Sequence, residues 1–402
     1  MAALFPSAEM YHNGAASTHS FRGVYAATLL FTFHWALVAY VNSAYLAQFV
    51  SNEIIGALYA LGSLGTIVIL FFSAPLLRTF GTRSLAGTLS VIEILALAGL
   101  ALLPYPLAVV PLFLIHHALS PLMILIIDVL AEQRVGAQES RTGGLRGALL
   151  VFGAAGVAFA ALIAGLLLNG AGQNFALVYL ASALCMTAFW FVLRHTQRVF
   201  RDPVYADTDS AGTIRHFWNI RDFRFVFLAR FLLQLFYAWM IIYVPLYLAS
   251  VIGFPWYDIG ILLFVALMAF VVFEYPIGRI ADRYIGEKEM MAGGFIVLAT
   301  TTAYLGLLSA PLLIQWMITL FLSRVGASLV EATTESYFFK HTKDADAGVI
   351  GFFRITTPAA YLLGALIGTL TLVFASFAHA FLLFGLLMLP GVAFALFLND
   401  TR

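Results

Sequence analysis

Long apolar runs constrain the fold of this 402-residue sequence more than any other feature. A helix needs about 20 consecutive apolar residues to cross the hydrocarbon layer of a bilayer. Twelve runs of that size follow one another: 22–50, 54–76, 84–103, 106–131, 145–169, 174–193, 223–250, 257–277, 290–309, 312–338, 347–374 and 377–398. Apolar residues make up 62% of the chain, which exceeds what a soluble core can bury while its surface is wetted. We therefore predict an all-α polytopic membrane protein with twelve transmembrane helices.

Arginine and lysine alternate strictly among the turns between these runs. Every second turn and the C-terminus carry them: Arg78 and Arg83; Arg134 and Arg141; Arg194, Arg198 and Arg201; Arg279, Arg283 and Lys288; Lys340 and Lys343; and Arg402. The six other turns contain neither residue. Because cytoplasmic loops collect Arg and Lys, we predict that both termini lie in the cytoplasm.

Short matches between the first six runs and the last six indicate an internal repeat. They are Asp128-x-x-x-Glu132 with Glu331-x-x-x-Glu335, Ala44-Tyr45-Leu46 with Leu246-Tyr247-Leu248, and Ile55-Gly56 with Ile259-Gly260. Each match joins corresponding runs, and the polar stretch between Arg194 and Asp222 separates the two sets. The sequence thus predicts two related halves of six helices.

The turn after the eighth run carries a recognisable motif, Gly278-Arg279-Ile280-Ala281-Asp282-Arg283-Tyr284-Ile285-Gly286-Glu287-Lys288. It resembles the loop between the second and third helices of each half of a major facilitator superfamily transporter. In that family the aspartate pairs with arginine and a neighbouring helix and holds the cytoplasmic gate shut. Here the second glycine falls one place late, at Gly286. The first-half loop keeps Gly81 and Arg83 but has Arg78 where the motif has its acid.

The resemblance implies the fold of that superfamily, two pseudo-symmetric six-helix bundles. We accordingly predict a cytoplasmic tail, an N-terminal bundle, a cytoplasmic linker, a C-terminal bundle and a cytoplasmic C-terminus, over 1–21, 22–193, 194–222, 223–398 and 399–402. The N-terminal tail lacks the charged-then-apolar pattern of a signal peptide.

Residues four apart share one helix face, so each acidic pair forms a carboxylate stripe near a cytoplasmic helix end. In the resembled family such acids pair with arginines of the neighbouring loop and release them during switching; otherwise they merely solvate a helix end. Arginines at 146, 279, 283 and 354 are available partners. The predicted gate residues are Asp128, Glu132, Gly278, Arg279, Asp282, Arg283, Glu331, Glu335 and Arg354.

Arg324 lies about midway along the tenth run, where an unpaired guanidinium would cost several kcal/mol. It needs an anionic substrate or a structural carboxylate partner. Glu331 shares its face but lies about 10 Å away along the helix, too far for a direct bond. In the seventh run, Arg230 can instead extend to the cytoplasmic surface, with Gln234 one turn beyond. Aromatics of that run, Tyr237 among them, either form the floor of a substrate site or simply pack.

Four ionisable residues near mid-depth are candidates for carrying a coupling proton: His34, Glu93, His116 and His117. Histidine titrates near neutral pH. For each of these histidines, the alternative interpretation is a structural side chain that is hydrogen-bonded in a packed helix interface. The resemblance places the first, fourth, seventh and tenth spans around the central cavity and the third outside it. It therefore favours His34 and one of His116 and His117 over Glu93, because adjacent helical residues point about 100° apart.

The resemblance implies a secondary active transporter that moves a small organic solute by alternating access, driven by protons. Alternatives are a polyspecific drug or metabolite exporter, a lipid-handling transporter and, more remotely, a membrane enzyme acting through His116 or His117. No turn contains a nucleophile–base motif, which disfavours the enzyme.

The expected partners are a small solute and the lipid bilayer, with no nucleic acid, and we expect a monomer in the plasma membrane. We expect no cofactor beyond a proton gradient. No His, Asp, Glu and Cys residues share metal-ligand spacing on one helix face, so we predict no metal site. The single cysteine, Cys185, excludes an internal disulfide.

Overall fold

The computed structural model describes residues 22–135, 142–170, 174–197, 215, 218–281, 285–341, 353 and 355–399. These residues form helices joined by turns, and none of them lies in a β-strand. The six spans of the first half are Arg22–Ala39 with Asn42–Leu46, Asn52–Phe71 with Ser73–Phe80, Thr82–Leu102, Pro106–Val135, Thr142–Gly170 and Phe175–Thr196. Those of the second half are Arg221–Ile242 with Val244–Tyr247 and the π-helical Leu248–Ile252, Trp256–Ile280, Glu287–Leu305, Leu313–His341, Thr356–Phe374, and Phe377–Met388 with Pro390–Leu396.

The all-α polytopic architecture predicted from the sequence is confirmed. Within the described ranges, eleven helices are long and apolar enough to cross a membrane. The ninth span, Glu287–Leu305, is not among these eleven; it has 19 residues and begins with the charged run Glu287-Lys288-Glu289, which shortens its apolar part. The predicted start of the eleventh span, at 347, lies outside the described residues, and its described helix begins at Thr356.

The two halves use the same packing scheme. In the first half, the first span packs against the fifth and sixth, the second against the fourth, and the third against the fourth and sixth. In the second half, the seventh packs against the eleventh and twelfth, the eighth against the tenth, and the ninth against the tenth and twelfth. Every pair is thus repeated six spans later, as expected for bundles related by pseudo-symmetry.

A repeated tyrosine supports the same equivalence at atomic level. The hydroxyl of Tyr45, at the end of the first span, donates to the carbonyl oxygen of Leu100 at 2.6 Å. Its counterpart Tyr247, late in the seventh span, donates to the carbonyl oxygen of Leu308 at 3.5 Å. Tyr45 therefore links the first span to the end of the third, and Tyr247 links the seventh span to the turn just after the ninth.

The loop glycines that differ in sequence position are equivalent in structure. Gly81 (φ 73°) and Gly286 (φ 99°) both adopt positive φ and immediately precede the third and ninth spans, a conformation that glycine reaches most easily. The Gly81 amide bonds the Leu77 carbonyl four residues back, at 2.9 Å, whereas the Gly286 amide bonds the Ala281 carbonyl five residues back, at 3.2 Å. The extra residue in the second loop is therefore absorbed by a wider, π-type turn.

The halves meet where the fifth span crosses the eighth and the second crosses the eleventh. A Cβ on Gly165 would lie 2.6 Å from the carbonyl oxygen of Trp256 and 2.7 Å from Cα of Gly260. A Cβ on Gly56 would lie 2.0 Å from Oγ1 of Thr369. Glycines at these crossings therefore allow close backbone approach, as small residues do in membrane helices.

We call the face that carries the Arg- and Lys-bearing turns the basic face, and the other the opposite face. Gly56 and Gly260 lie in the second turn of their helices, and Gly165 lies five residues before the end of its own. These helix ends all adjoin turns without Arg or Lys. The close contacts between the halves therefore lie near the opposite face.

Candidate functional site

Two histidines and one glutamate meet in the core of the first half. Nε2 of His34 lies 3.5 Å from Oε1 of Glu93, and Nδ1 of His116 contacts the same oxygen. Each of the three residues is at most 3% exposed. Oε2 of Glu93 has no hydrogen-bond partner among the described residues. We call this set the His34–Glu93–His116 cluster.

The hydrogen bonds of His34 define what the cluster can do with a proton. Nδ1 of His34 lies 2.6 Å from the Phe31 carbonyl oxygen. A carbonyl only accepts, so this nitrogen carries a hydrogen, and Nε2 carries another only when the ring is protonated. With both rings neutral and Glu93 ionised, the site holds a buried negative charge, which is unfavourable within a membrane span. Binding a proton neutralises the site.

Serine hydroxyls and aromatic rings hold the two histidine segments in place. Ser182 of the sixth span donates to the His34 carbonyl at 2.8 Å, and Ser120 donates to the His116 carbonyl at 2.9 Å. The ring of Phe31 packs against His34, with 4.9 Å between ring centres. The cluster is therefore a fixed part of the bundle core.

Glu93, ranked below the histidines from the sequence, contacts two of them in the structure. The resemblance placed the third span outside the central cavity and so made Glu93 the weakest candidate. The structure places its carboxylate between His34 of the first span and His116 of the fourth. All three residues lie near the middle of their helices. Their similar depth in the membrane was the signal in the sequence from which a contact between them could have been predicted.

His117 points to a different neighbourhood, as expected for adjacent helical residues. Its Nε2 lies 3.2 Å from Oγ of Ser63. Its ring packs edge-on against Tyr59 of the second span, at 5.2 Å, and lies 6.2 Å from the ring of Tyr361 in the eleventh. His117 therefore faces the junction between the halves, while His116 faces the core of the first half.

Arg324 lies in the tenth span and is 2% exposed. Its Nη1 donates to Oγ of Ser323 at 2.9 Å, and its guanidinium lies over the ring of Phe236, 5.3 Å from the ring centre. In the described part of the chain no carboxylate forms an ion pair with it. As the helical rise indicated, Glu331 does not reach Arg324, and it binds another arginine instead.

That arginine is Arg230 of the seventh span. Its Nη1 lies 3.6 Å from Oε1 of Glu331 and 3.0 Å from Oε1 of Glu335. The Tyr237 hydroxyl donates to Oε2 of Glu331 at 2.5 Å. Glu274 of the eighth span lies within electrostatic range of Arg230 and of both acids. We call these five residues the Arg230 cluster; it lies toward the basic face.

The Arg230 cluster corrects two expectations. Arg230 does not extend to the membrane surface, because it is 5% exposed and ion-paired. In addition, the acids of the tenth span, Glu331 and Glu335, pair with Arg230 of the seventh span, which was not among their predicted partners. The gate residues Asp282, Arg283 and Arg354 lie outside the described residues, as do the side chains of Asp128, Glu132, Arg279 and Arg146 and the surroundings of Gly278.

The aromatics of the seventh span mostly pack within the second half. Trp239 stacks on Phe384 of the twelfth span with 4.3 Å between ring centres, and Tyr247 stacks on Phe377 at 5.3 Å. Phe236 instead faces Arg324, and Gln234 is buried one turn beyond Arg230. Across the described residues, no group of three or more His, Cys, Asp and Glu is placed to hold a metal ion.

We expect Arg230→Gln to destabilise the protein by about 1–3 kcal/mol. Breaking a fully buried ion pair costs about 3–5 kcal/mol, and the Glu331 and Glu335 side chains retain 27% and 25% exposure, which softens the loss. Thermal unfolding in detergent measures it. Arg221→Gln, at an exposed position in the same helix, is the matched control. Adding Glu331→Gln should recover part of the loss; an unchanged unfolding temperature for Arg230→Gln would contradict the assignment.

The geometry defines a class of protein: a helical membrane protein of two pseudo-symmetric bundles with buried ionisable groups at mid-depth. The family model described as Major Facilitator Superfamily matches residues 24–284 and 257–402. The chain belongs to the Major Facilitator Superfamily and is a membrane transporter.

Solved structures with the same fold include two transporters. A variant of the nucleoside transporter NupG aligns with a TM-score of 0.73 and 14% identity, over 94% of this chain and 99% of its own. The POT family transporter PepTSo aligns with a TM-score of 0.74 and 13% identity, over 94% of this chain and 97% of its own. At these identities the likeness establishes the fold alone. No curated protein matches the sequence.

Proposed function

We propose that the protein is a proton-coupled secondary transporter that moves a small organic solute by alternating access. The observation that carries the proposal is the His34–Glu93–His116 cluster, in which two imidazoles share one buried carboxylate oxygen. Imidazole exchanges protons near neutral pH, and neutralisation of the cluster requires a proton. A fixed carboxylate between two such groups is suited to binding and releasing the coupling proton.

The fourth span provides a route from proton binding to solute binding. His116 belongs to the cluster, and the adjacent His117 contacts Tyr59 and faces Tyr361 at the junction of the halves. A shift of the fourth span on protonation of the cluster would therefore move His117 as well. Coupling between proton binding and solute binding requires a structural element whose position depends on both sites. The fourth span, which carries His116 and His117, is that element in this proposal.

The close glycine crossings give the alternating-access part of the proposal its physical basis. The fifth and eighth spans, and the second and eleventh, make backbone contact near the opposite face. Opening at that face requires these crossings to separate as the halves rock about the central site. The alternation of Arg and Lys favours an orientation in which the basic face is cytoplasmic, with the protein in the plasma membrane.

Proton flux in sealed liposomes tests the proposal. The purified protein is reconstituted with a trapped pH-sensitive dye, and pools of sugars, amino acids, nucleosides, organic anions and amphiphilic cations are added in turn. We expect a pool-dependent pH change that is absent from protein-free liposomes, and its sign separates symport from antiport. If no pool changes the internal pH of vesicles shown to be sealed, the result would contradict proton coupling.

A further inference from the structure

We infer that the solute is a small organic monoanion whose carboxylate binds Arg324. The inference rests on the proposed function only for the statement that the bound molecule is transported. It is carried by a set of residues from spans of both halves that we call the central cluster: Tyr40, Tyr59, Phe113, His117, Phe236, Arg324 and Tyr361.

The charge of Arg324 is the first observation. The side chain is 2% exposed, and its described neighbours are the Ser323 hydroxyl and the face of Phe236. Tyr40 and Tyr237 lie within electrostatic range. Hydroxyls and an aromatic face stabilise a cation but do not neutralise it. A guanidinium held away from water calls for an anionic partner, and the described acids of the same helix face are bound to Arg230.

An unsatisfied hydroxyl in the same cluster is the second, independent observation. The Tyr59 hydroxyl is buried, and the described residues place no acceptor for its hydrogen within hydrogen-bond distance, although the Asn42 side chain lies close enough to interact with its oxygen. The nearby amide oxygen of Asn42 accepts from Tyr179 at 2.6 Å. Buried polar groups are nearly always hydrogen-bonded in folded proteins. A ligand oxygen would satisfy Tyr59. The ring of Tyr361 lies 6.2 Å from the ring of His117 and within electrostatic range of Tyr59 and Tyr40.

The chemistry of the cluster selects a carboxylate with an apolar remainder. A guanidinium binds a planar carboxylate through two parallel hydrogen bonds. Arg324 is the only permanent cation among the described members of the cluster, so it balances a single negative charge and would leave a dianion unneutralised. The rings of Phe113, His117 and Tyr59 form one aromatic wall, with ring centres 5.0–5.7 Å apart, which favours a flat or apolar solute body.

Equilibrium binding by calorimetry, in detergent and without any gradient, tests the inference. The probes are benzoate, phenylacetate and pyruvate, each compared with its neutral amide, which has nearly the same shape. We expect at least one carboxylate to bind, with its amide about tenfold weaker or more, because the amide has no negative charge and presents an NH₂ donor to the guanidinium in place of the second oxygen. Equal binding of acid and amide, or no binding of any carboxylate, would overturn the inference.

Variants separate recognition by Arg324 from a general effect of charge. Arg324→Gln should remove the preference for the acid, whereas Arg324→Lys should keep part of it, because lysine retains the charge without the planar fork. The exposed-site variant Arg221→Gln should bind as the wild type does. Tyr59→Phe should weaken binding where Tyr304→Phe, at an exposed tyrosine, does not. Unchanged acid preference in folded Arg324→Gln would overturn the inference; should that variant not fold, the Tyr59→Phe comparison decides.

The outcome is distinguishable from failure of the proposed function. A carboxylate that binds but moves no protons would contradict proton coupling and support the anion site. A neutral solute that drives proton flux, with no carboxylate bound, would support coupling and overturn the anion site.

Discussion

Replacement of Glu93 by glutamine is expected to abolish uphill accumulation of the solute while downhill exchange continues. Glutamine keeps the shape and can still bond the histidines, but it cannot be ionised or protonated. A pH difference of one unit is worth about 1.4 kcal/mol per proton, or about tenfold solute accumulation per coupled proton. The variant should lose this accumulation. Uptake into proteoliposomes with an imposed pH gradient, compared with exchange at equal pH, measures both processes.

The control for Glu93→Gln is Glu289→Gln. Glu289 is exposed in the first turn of the ninth span, 3.7 Å from Lys288, and its neutralisation should leave accumulation unchanged. Gradient-driven accumulation by Glu93→Gln at the wild-type level would remove the cluster from the coupling mechanism. Loss of exchange together with accumulation would instead point to a structural role for Glu93.

Gly165→Val is expected to separate the halves at the opposite face. A Cβ there would lie 2.7 Å from Cα of Gly260, so the contact must open or distort. Overpacking typically costs about 1–3 kcal/mol, enough to raise the population of the open arrangement about tenfold. A reporter cysteine replacing Ile55, which is fully buried beside Gly56, should then react about tenfold faster with a membrane-impermeant maleimide. Cys185, the single native cysteine, is first replaced by serine.

Gly293→Val is the matched control for this substitution. Gly293 is also helical, in the ninth span, but a Cβ on it would meet nothing within 4 Å. Its replacement tests the effect of valine itself without a clash between the halves. Equal labelling of Ile55→Cys in the Gly165→Val and Gly293→Val backgrounds would show that the glycine crossing does not hold the opposite face closed.

Much of the fold could be predicted because its determinants are local. The length of each apolar run indicates one membrane crossing. Apart from the start of the eleventh span, the described helices begin and end within a few residues of the predicted runs. The matched Ile55-Gly56 and Ile259-Gly260 pairs indicate the internal repeat, and they also mark the contacts between the halves, because both glycines lie at helix crossings there. The late position of Gly286 looked like a departure from the motif only because sequence alignment does not reveal a π-type turn.

The site was harder to predict because it depends on which helices face one another. His34, Glu93 and His116 were each recognisable as ionisable residues in apolar spans, but their convergence on one oxygen follows from helix packing. Arg230 was misjudged for the same reason, since its acidic partners come from a span about 100 residues further along the chain. Conversely, the isolation of Arg324 from Glu331 followed from helical rise alone.

Proton binding that accompanies solute binding tests the central claim most directly. The purified protein, in weakly buffered detergent solution, is mixed with the solute identified by the liposome assay, and the protons taken up or released are counted with a pH indicator. We predict a solute-dependent exchange of protons in the wild type that is lost in Glu93→Gln while the solute still binds. Equal proton exchange by the two proteins would contradict the assignment of the His34–Glu93–His116 cluster as the coupling site.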